Sequence, residues 1–230
     1  YKDVRGKIKL QNKKIIFGTP SKLKSFDVIY FIFKNKDYHF GFIEEIYDPK
    51  AAGLRDMGKP IRREEFALSP RLAKILINLS QVKEKEILAD PFCGVGIILQ
   101  EALLQGINVV GIDVDKKAIL SSQKNLEWLK HNYNISGKYE LINSDSRKVF
   151  IREVDGIATE PFLGKLFKKT PNEKEVSLTL KNYEELMISV LNNIKKFLKK
   201  RGKISFTAPL IKLGKKRVGC DINKICKKTG

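Results

Sequence analysis

Cysteine and histidine are scarce in this chain, and their scarcity closes several chemistries. Three cysteines in 230 residues do not make a disulfide framework. Cys220 and Cys226 are separated by five residues and have no histidine or cysteine companions, so a zinc site is not expected and no metal is assigned. His39 and His131 are isolated and read as surface residues rather than ligands. No run of about 18 apolar residues occurs, which excludes a membrane-crossing helix, and no signal peptide is visible. A soluble protein of the cytoplasm is therefore expected. Internal repeats and low-complexity tracts are absent too.

Acids are the next shortage. There are 26 Asp and Glu against 45 Lys and Arg, for a net charge of +19. Such an excess suits a polyanionic partner, because phosphate neutralisation with counterion release supplies most non-specific affinity. A merely solvated surface is the plainer alternative. The imbalance peaks in residues 195–230, with 13 Lys and Arg and one acid, Asp221. Lys195, Lys196, Lys199, Lys200, Arg201 and Lys203 straddle an expected helix end, where cations favour the helix dipole. Part of that cluster is structural by this reading, and the remainder is left to face RNA.

Where acids do occur, they are pointed. Glu86-Ile87-Leu88-Ala89 reads as a short buried strand running into Asp90-Pro91-Phe92-Cys93-Gly94-Val95-Gly96, then into a helix from Ile97. A second apolar run ends Gly111-Ile112-Asp113. Strand, glycine turn, helix and a second strand ending in a carboxylate form a βαβ pocket for a nucleoside, with Asp113 able to accept both ribose hydroxyls. A dinucleotide fingerprint wants a third glycine where Leu99 stands, and Asp90 would repel a pyrophosphate. A sulfonium and an α-ammonium would be attracted instead, so S-adenosylmethionine fits better than NAD. Cys93 fits the turn as a small side chain.

Residues 1–48 alternate short β-rich runs (14–17, 28–33, 38–43) with lysine-rich turns, and Asn35-Lys36-Asp37 suggests a hairpin. This is expected to be a small β-containing N-terminal module. Residues 49–68 read as a linker, polar and containing Gly53, Gly58 and two prolines. Ser69 as N-cap and Pro70 at the first helical position open the main domain, 69–230. Leu72, Ile75, Leu76 and Leu79 lie on one face of that first helix. The order then predicted is strand 86–90, helix 96–105, strand 108–113, helix 115–130, strand 138–143, strand 155–159, helix 174–199 and strand 203–208. Leu180, Tyr183, Met187, Val190, Leu191, Ile194 and Leu198 form the core stripe of the long helix. Such alternation implies an α/β fold with a doubly wound, mainly parallel, Rossmann-like sheet.

Three stretches together resemble the RNA methylase family of tRNA guanosine-10 N2-methyltransferases over residues 51 to about 165. They are Arg55-Asp56 with Lys59-Pro60-Ile61-Arg62-Arg63 and Leu68-Ser69-Pro70-Arg71-Leu72-Ala73; Asp90 through Ala102; and Gly111-Ile112-Asp113 running to Asn125-Leu126-Glu127-Trp128. The resemblance implies an S-adenosylmethionine-dependent enzyme acting on tRNA, with a THUMP-type RNA-binding region whose trailing part would be residues 1–48. It implies that Asp90, Cys93, Gly94 and Gly96 line the methionine end of the cofactor. Asp113 would hold the ribose and Asp145 the adenine amino group, although Asp145 also reads as a plain strand-end residue. A methyltransferase sheet of this kind ordinarily finishes with two further strands. After the fifth strand only a basic helical stretch is visible, and the chain starts at Tyr1, so a fragment is expected.

The family's reacting motif, Asp/Asn-Pro-Pro-Tyr/Phe, is replaced here by Thr159-Glu160-Pro161-Phe162. Aligning on the aromatic puts Thr159 in the acidic or amide slot and Glu160 in the first proline slot. A guanine amino group is a poor nucleophile because its lone pair is delocalised into the ring. An acceptor side chain and a backbone carbonyl that grip its hydrogens favour a pyramidal nitrogen, and Phe162 can stack on the extruded base. Glu160 serves as acceptor or base if the turn rotates it inward. Guanine-N2 methylation of tRNA is the leading expectation. Two alternatives stay open: an adenine-N6 nucleic-acid methyltransferase, and a non-catalytic RNA-binding module with a degenerate cofactor pocket.

Overall fold

A computed structural model of the chain describes residues 9–11, 14–16, 30–34, 38–42, 48–62, 68–164, 167 and 169–230. The chain divides into two units, Tyr1–Ala51 and Ala52–Gly230. In the first, β1 (Lys9–Gln11) pairs antiparallel with β2 (Lys14–Ile16), and β3 (Tyr30–Lys34) with β4 (Tyr38–Phe42). The second pairing is the expected hairpin; its turn, Asn35-Lys36-Asp37, lies outside the described residues, as does much of the rest of 1–47.

The stretch expected as a linker is helical over Pro49–Gly58 (α1). Asp48 Oδ1 accepts from Lys50 N (2.9 Å) and Ala51 N (3.3 Å), so Asp48-Pro49 starts a helix as Ser69-Pro70 does. Arg55 then reaches both carboxylate oxygens of buried Glu101 at 3.2 Å. A side chain at Gly58 would meet the Trp128 ring.

Helix α2 (Pro70–Ser80) is capped by Ser69, whose side chain accepts from Leu72 N. Its buried face is Ala73, Leu76, Ile77 and Ser80, not the expected one; Leu79 is 62% exposed. Arg71, Lys74 and Asn78 form a polar stripe, and the expected Ile75 and Leu79 flank that stripe rather than oppose it, which leaves them exposed.

Strands β5 (Ile87–Asp90), β6 (Asn108–Asp113), β7 (Tyr139–Asn143), β8 (Val154–Thr159) and β9 (Leu198–Phe206) form one parallel sheet ordered β7-β6-β5-β8-β9. Period-two side chains split its two faces. Leu88, Val109 and Ala158 pack under α2, α3 (Ile97–Leu103) and α4 (Lys116–Asn132). Ala89, Val110 and Ile157 pack with Val190 and Ile194 of α5 (Glu173–Ile194). This is the doubly wound sheet expected, with its topological switch between β5 and β8, where such folds bind ligands.

Helix α5 stops at Ile194, short of the expected 199. A short 3-10 turn, Lys195–Phe197, leads directly into β9. Leu198 pairs with Val154 but Lys203 with Gly156, so the basic run forms a bulge, with Arg201 at φ +71° and Lys199 Nζ 2.6 Å from Asp155. Lysines on an exposed edge strand also discourage pairing with another chain. Beyond β9, β10 (Leu210–Leu213) and β11 (Lys216–Gly219) form a hairpin separate from the main sheet, where only a helical stretch was expected. Helix α6 (Ile222–Thr229) then packs on α5 through Ile225.

Candidate active site

The site grows from the turn that follows β5. Asp90 ends the strand 1% exposed, and its Oδ1 accepts from Phe92 N at 3.1 Å and from the Thr159 hydroxyl at 2.6 Å. Cys93 N donates to Ile112 O (2.9 Å) and Gly96 N to Cys93 O (2.8 Å), which folds the turn tightly. Gly94 (φ +54°) and Gly96 (φ +84°) occupy left-handed backbone that only glycine adopts freely. A Cβ at Gly96 would collide with the Ser122 hydroxyl, whereas one at Gly94 would meet nothing. Gly96 is thus needed for packing, and Gly94 leaves open space for a ligand.

Asp113 closes this half of the site. Its Oδ2 accepts from Gly94 N and its Oδ1 from Asp115 N, both at 2.9 Å. A carboxylate offers about four lone-pair sites, so roughly two remain for further donors. Val114 beside it is 74% exposed and supplies an apolar face.

The opposite half comes from the end of β8. Thr159, expected in the acceptor slot of the reacting motif, is 1% exposed and turned toward Asp90, away from the cavity. Glu160, Pro161 and Phe162 do face the cavity. Phe162 is 54% exposed, and Glu160 accepts no hydrogen bond among the described residues.

A cavity of about 820 Å³ joins the two halves. Of the ten residues singled out in the sequence, Asp90, Cys93, Gly94, Asp113, Asp145, Glu160, Pro161 and Phe162 line it; Gly96 and Thr159 stand behind the wall. Asp145 departs in detail: Arg147 holds it, with Nη2 at 2.6 Å and Nε at 3.0 Å from its oxygens, which leaves little capacity for an adenine amino group. Residues not anticipated also line the cavity, notably Phe92, Val114 and Arg147, with Leu186 and Val190 of α5. An apolar Val114 directly after a strand-ending carboxylate is a signal the sequence did offer. The α5 pair carries no local signal: Val190 belongs to the core stripe and Leu186 packs beside it, partly buried.

Charge shapes the protonation of this cavity. Burial pushes the Asp90 carboxyl up to about 7; its hydrogen bonds from Thr159 and Phe92 oppose this, and Asp113 and Glu160 reinforce it. Burial likewise raises Glu160. The Cys93 thiol is raised by burial and by Asp90 and Asp113, so it stays protonated and is not a nucleophile. Arg147 holds Asp145 below the usual carboxylate range. Four carboxyls line one cavity, Asp145 paired with Arg147 and both Asp90 and Glu160 shifted upward by burial, an arrangement suited to a ligand that brings positive charge.

Residues 60–208 match the RMKL-like methyltransferase domain, and the chain belongs to that family. A tRNA (guanine(10)-N2)-dimethyltransferase of Methanothermobacter thermautotrophicus is 37% identical over 158 residues, 67% of this chain and 43% of that protein. Its counterpart in Methanocaldococcus jannaschii is 32% identical over 134 residues, 54% of this chain and 37% of that protein. The chain therefore spans less than half the length of either relative. The cyclopropane synthase MmaA2 of Mycobacterium tuberculosis shares the fold alone: TM-score 0.51 and 14% identity, over 74% of this chain and 63% of that one.

Proposed function

We propose that this methyltransferase-family chain transfers a methyl group from S-adenosylmethionine to the exocyclic N2 amine of a guanosine in tRNA. One observation carries the reading: Asp90, Asp113 and the Glu160-Pro161-Phe162 turn, far apart in sequence, converge on one cavity at the topological switch of a parallel sheet. The relatives' names and the resemblance in the motif support the choice of substrate.

The residues fit such a cofactor. Asp90, Cys93 and Gly94 would hold its methionine end, with Gly96 setting the turn that presents them. Asp113 has two free acceptor sites for ribose hydroxyls. The adenine contact assigned to Asp145 requires exposed Arg147 to release one oxygen. When bound, S-adenosylmethionine supplies a methyl group made electrophilic by its sulfonium.

What the chain contributes is placement and proton handling. Glu160 accepts from the guanine amino group and takes up a proton once that nitrogen has become cationic, a role its raised proton affinity favours. Phe162, at the cavity rim, stacks on the extruded base. Thr159 acts through Asp90 as a positioning residue, so the acceptor role in this motif falls to Glu160. Most of the rate would come from orientation and electrostatics.

The wider proposal assigns residues 1–48 to RNA binding as the end of a THUMP-type region, 49–68 to the connection, and 69–230 to methyl transfer in the cytoplasm. No helix among the described residues is long and apolar enough to cross a membrane. Transfer of labelled methyl from S-adenosylmethionine to bulk tRNA, followed by nucleoside mapping, tests the function. Label in N2-methylguanosine or its dimethyl form is expected. Label confined to N6-methyladenine would refute the substrate, and cofactor binding without any transfer would favour a non-catalytic RNA-binding role.

A further inference from the structure

The cations of the C-terminal part divide by position. Lys199, Lys200 and Arg201 sit at the start of β9, hence at the amino edge of the parallel sheet, away from the cavity. The end of α6, with Lys227 and Lys228, is tied to that same side, because Lys195 Nζ donates to Thr229 O just after α5 ends. The β10–β11 hairpin is different. Phe206, the last residue of β9, pairs with Thr159, and Thr207 N donates to Thr159 O at 3.3 Å. The hairpin starts four residues later, so its base lies within about 14 Å of Phe206, at the edge where Glu160, Pro161 and Phe162 line the cavity.

Its register is informative. Lys212 stands directly opposite Arg217, and Leu213 opposite Lys216, across a two-residue turn opened by Gly214 at φ +58°. Residues opposite one another in an antiparallel pair share a face about 5 Å apart, and like charges there are destabilising. An isolated two-stranded hairpin has little stability to spare. Yet Leu210–Gly219 contains four cations, Lys212, Lys215, Lys216 and Arg217, and no acid. All four are exposed and make no ion pair among the described residues. The other face carries Ile211, Leu213 and Val218, which are half-buried and anchor the hairpin, with Lys216 at its exposed tip opposite Leu213.

We propose that the cationic face of the Leu210–Gly219 hairpin grips RNA phosphates flanking the target base, with Lys212 and Arg217 as its centre. A bound polyanion converts the cross-strand repulsion into a shared contact, and it does so beside the turn proposed to receive the base. The assignment rests on the proposed RNA substrate for its ligand, and the test separates the two.

The full chain is compared with Lys212→Gln/Arg217→Gln, and with a charge-matched control at the opposite edge, Lys227→Gln/Lys228→Gln. Affinity for unmodified tRNA is measured by fluorescence anisotropy across roughly 50 to 200 mM salt. The hairpin variant is expected to bind about tenfold or more weakly, with a salt slope lower by about one to two, while the control changes little. Its cofactor affinity stays unchanged, and its melting temperature holds or rises because a repulsive pair has been removed, a sign that damage to the fold could not give. Equal losses in variant and control would overturn the proposal, as would an unchanged slope. Loss of binding to anionic phospholipid vesicles with tRNA affinity intact would overturn it in favour of a membrane contact. If tRNA binding falls as expected but no N2-methylguanosine forms with any variant, the hairpin assignment stands and the catalytic reading fails.

Discussion

The two walls of the cavity are built differently. The β5–β6 wall is locked by main chain: Phe92 N holds Asp90, Gly94 N and Asp115 N hold Asp113, and Cys93 N and Gly96 N close the turn between them. On the β8 wall the Thr159 hydroxyl is fastened to the opposite wall, while Glu160 and Phe162 line the cavity and Phe162 is 54% exposed. The first wall is suited to one ligand of fixed shape, since its carboxylates are aimed before anything binds. The second is suited to a group that arrives on a larger molecule and leaves again. Substitutions on the first wall should therefore change cofactor affinity, and those on the second turnover.

Asp113→Ala should have the largest effect. It removes the ribose acceptor and strips the partners from two backbone amides, so cofactor affinity should fall about 100-fold, near 3 kcal/mol, with RNA affinity unchanged. Calorimetry with S-adenosylmethionine and anisotropy with tRNA check this; equal losses in both would break the division between walls. Glu160→Gln keeps an acceptor but cannot take up a proton. We expect kcat to fall about 100-fold with cofactor Kd within about twofold of the parent. Phe162→Ala should reduce turnover on RNA about tenfold through lost stacking and spare the cofactor; unchanged turnover would remove its role. The smallest effect is that of Thr159→Val, which crosses the division. It deletes the hydroxyl whose hydrogen bond opposes the effect of burial on Asp90, so the Asp90 carboxyl should titrate at still higher pH. Cofactor affinity near pH 7 should drop a few-fold and recover above pH 8, a recovery that simple packing damage would not show.

The locked wall was the more legible part of the sequence because its devices are local. Glycines at forced φ, a carboxylate ending each strand and a small residue between them lie within 24 positions, Asp90 to Asp113. The doubly wound parallel sheet followed from strand–helix alternation. Among the features that escaped, three show why. Asp48-Pro49 carries the same start signal as Ser69-Pro70, but Gly53 and Gly58 masked it, and only the packing of Arg55 on Glu101 and of Gly58 under Trp128 shows what the helix rests on. The lysines after Ile194 concealed a bulged strand, since β9 is fixed by pairing with β8 rather than by propensity. Thr159 occupies its expected place at the strand end, yet its orientation depends on Asp90, 69 residues earlier in the chain. A pairing over that distance leaves no periodicity to read.

Underlying both walls is the claim that buried negative charge receives a cationic methyl donor. Asp90 provides the direct test, because burial places its ionisation at about pH 7. Protonated, it offers no charge; ionised, it attracts the sulfonium and the ammonium. The decisive measurement is S-adenosylmethionine affinity from about pH 5.5 to 7.5, for the parent chain and for Asp90→Asn. The account predicts that parent affinity rises about tenfold as Asp90 ionises, and that the variant binds weakly with no such rise. A flat parent profile, or the same rise in the variant, would contradict it.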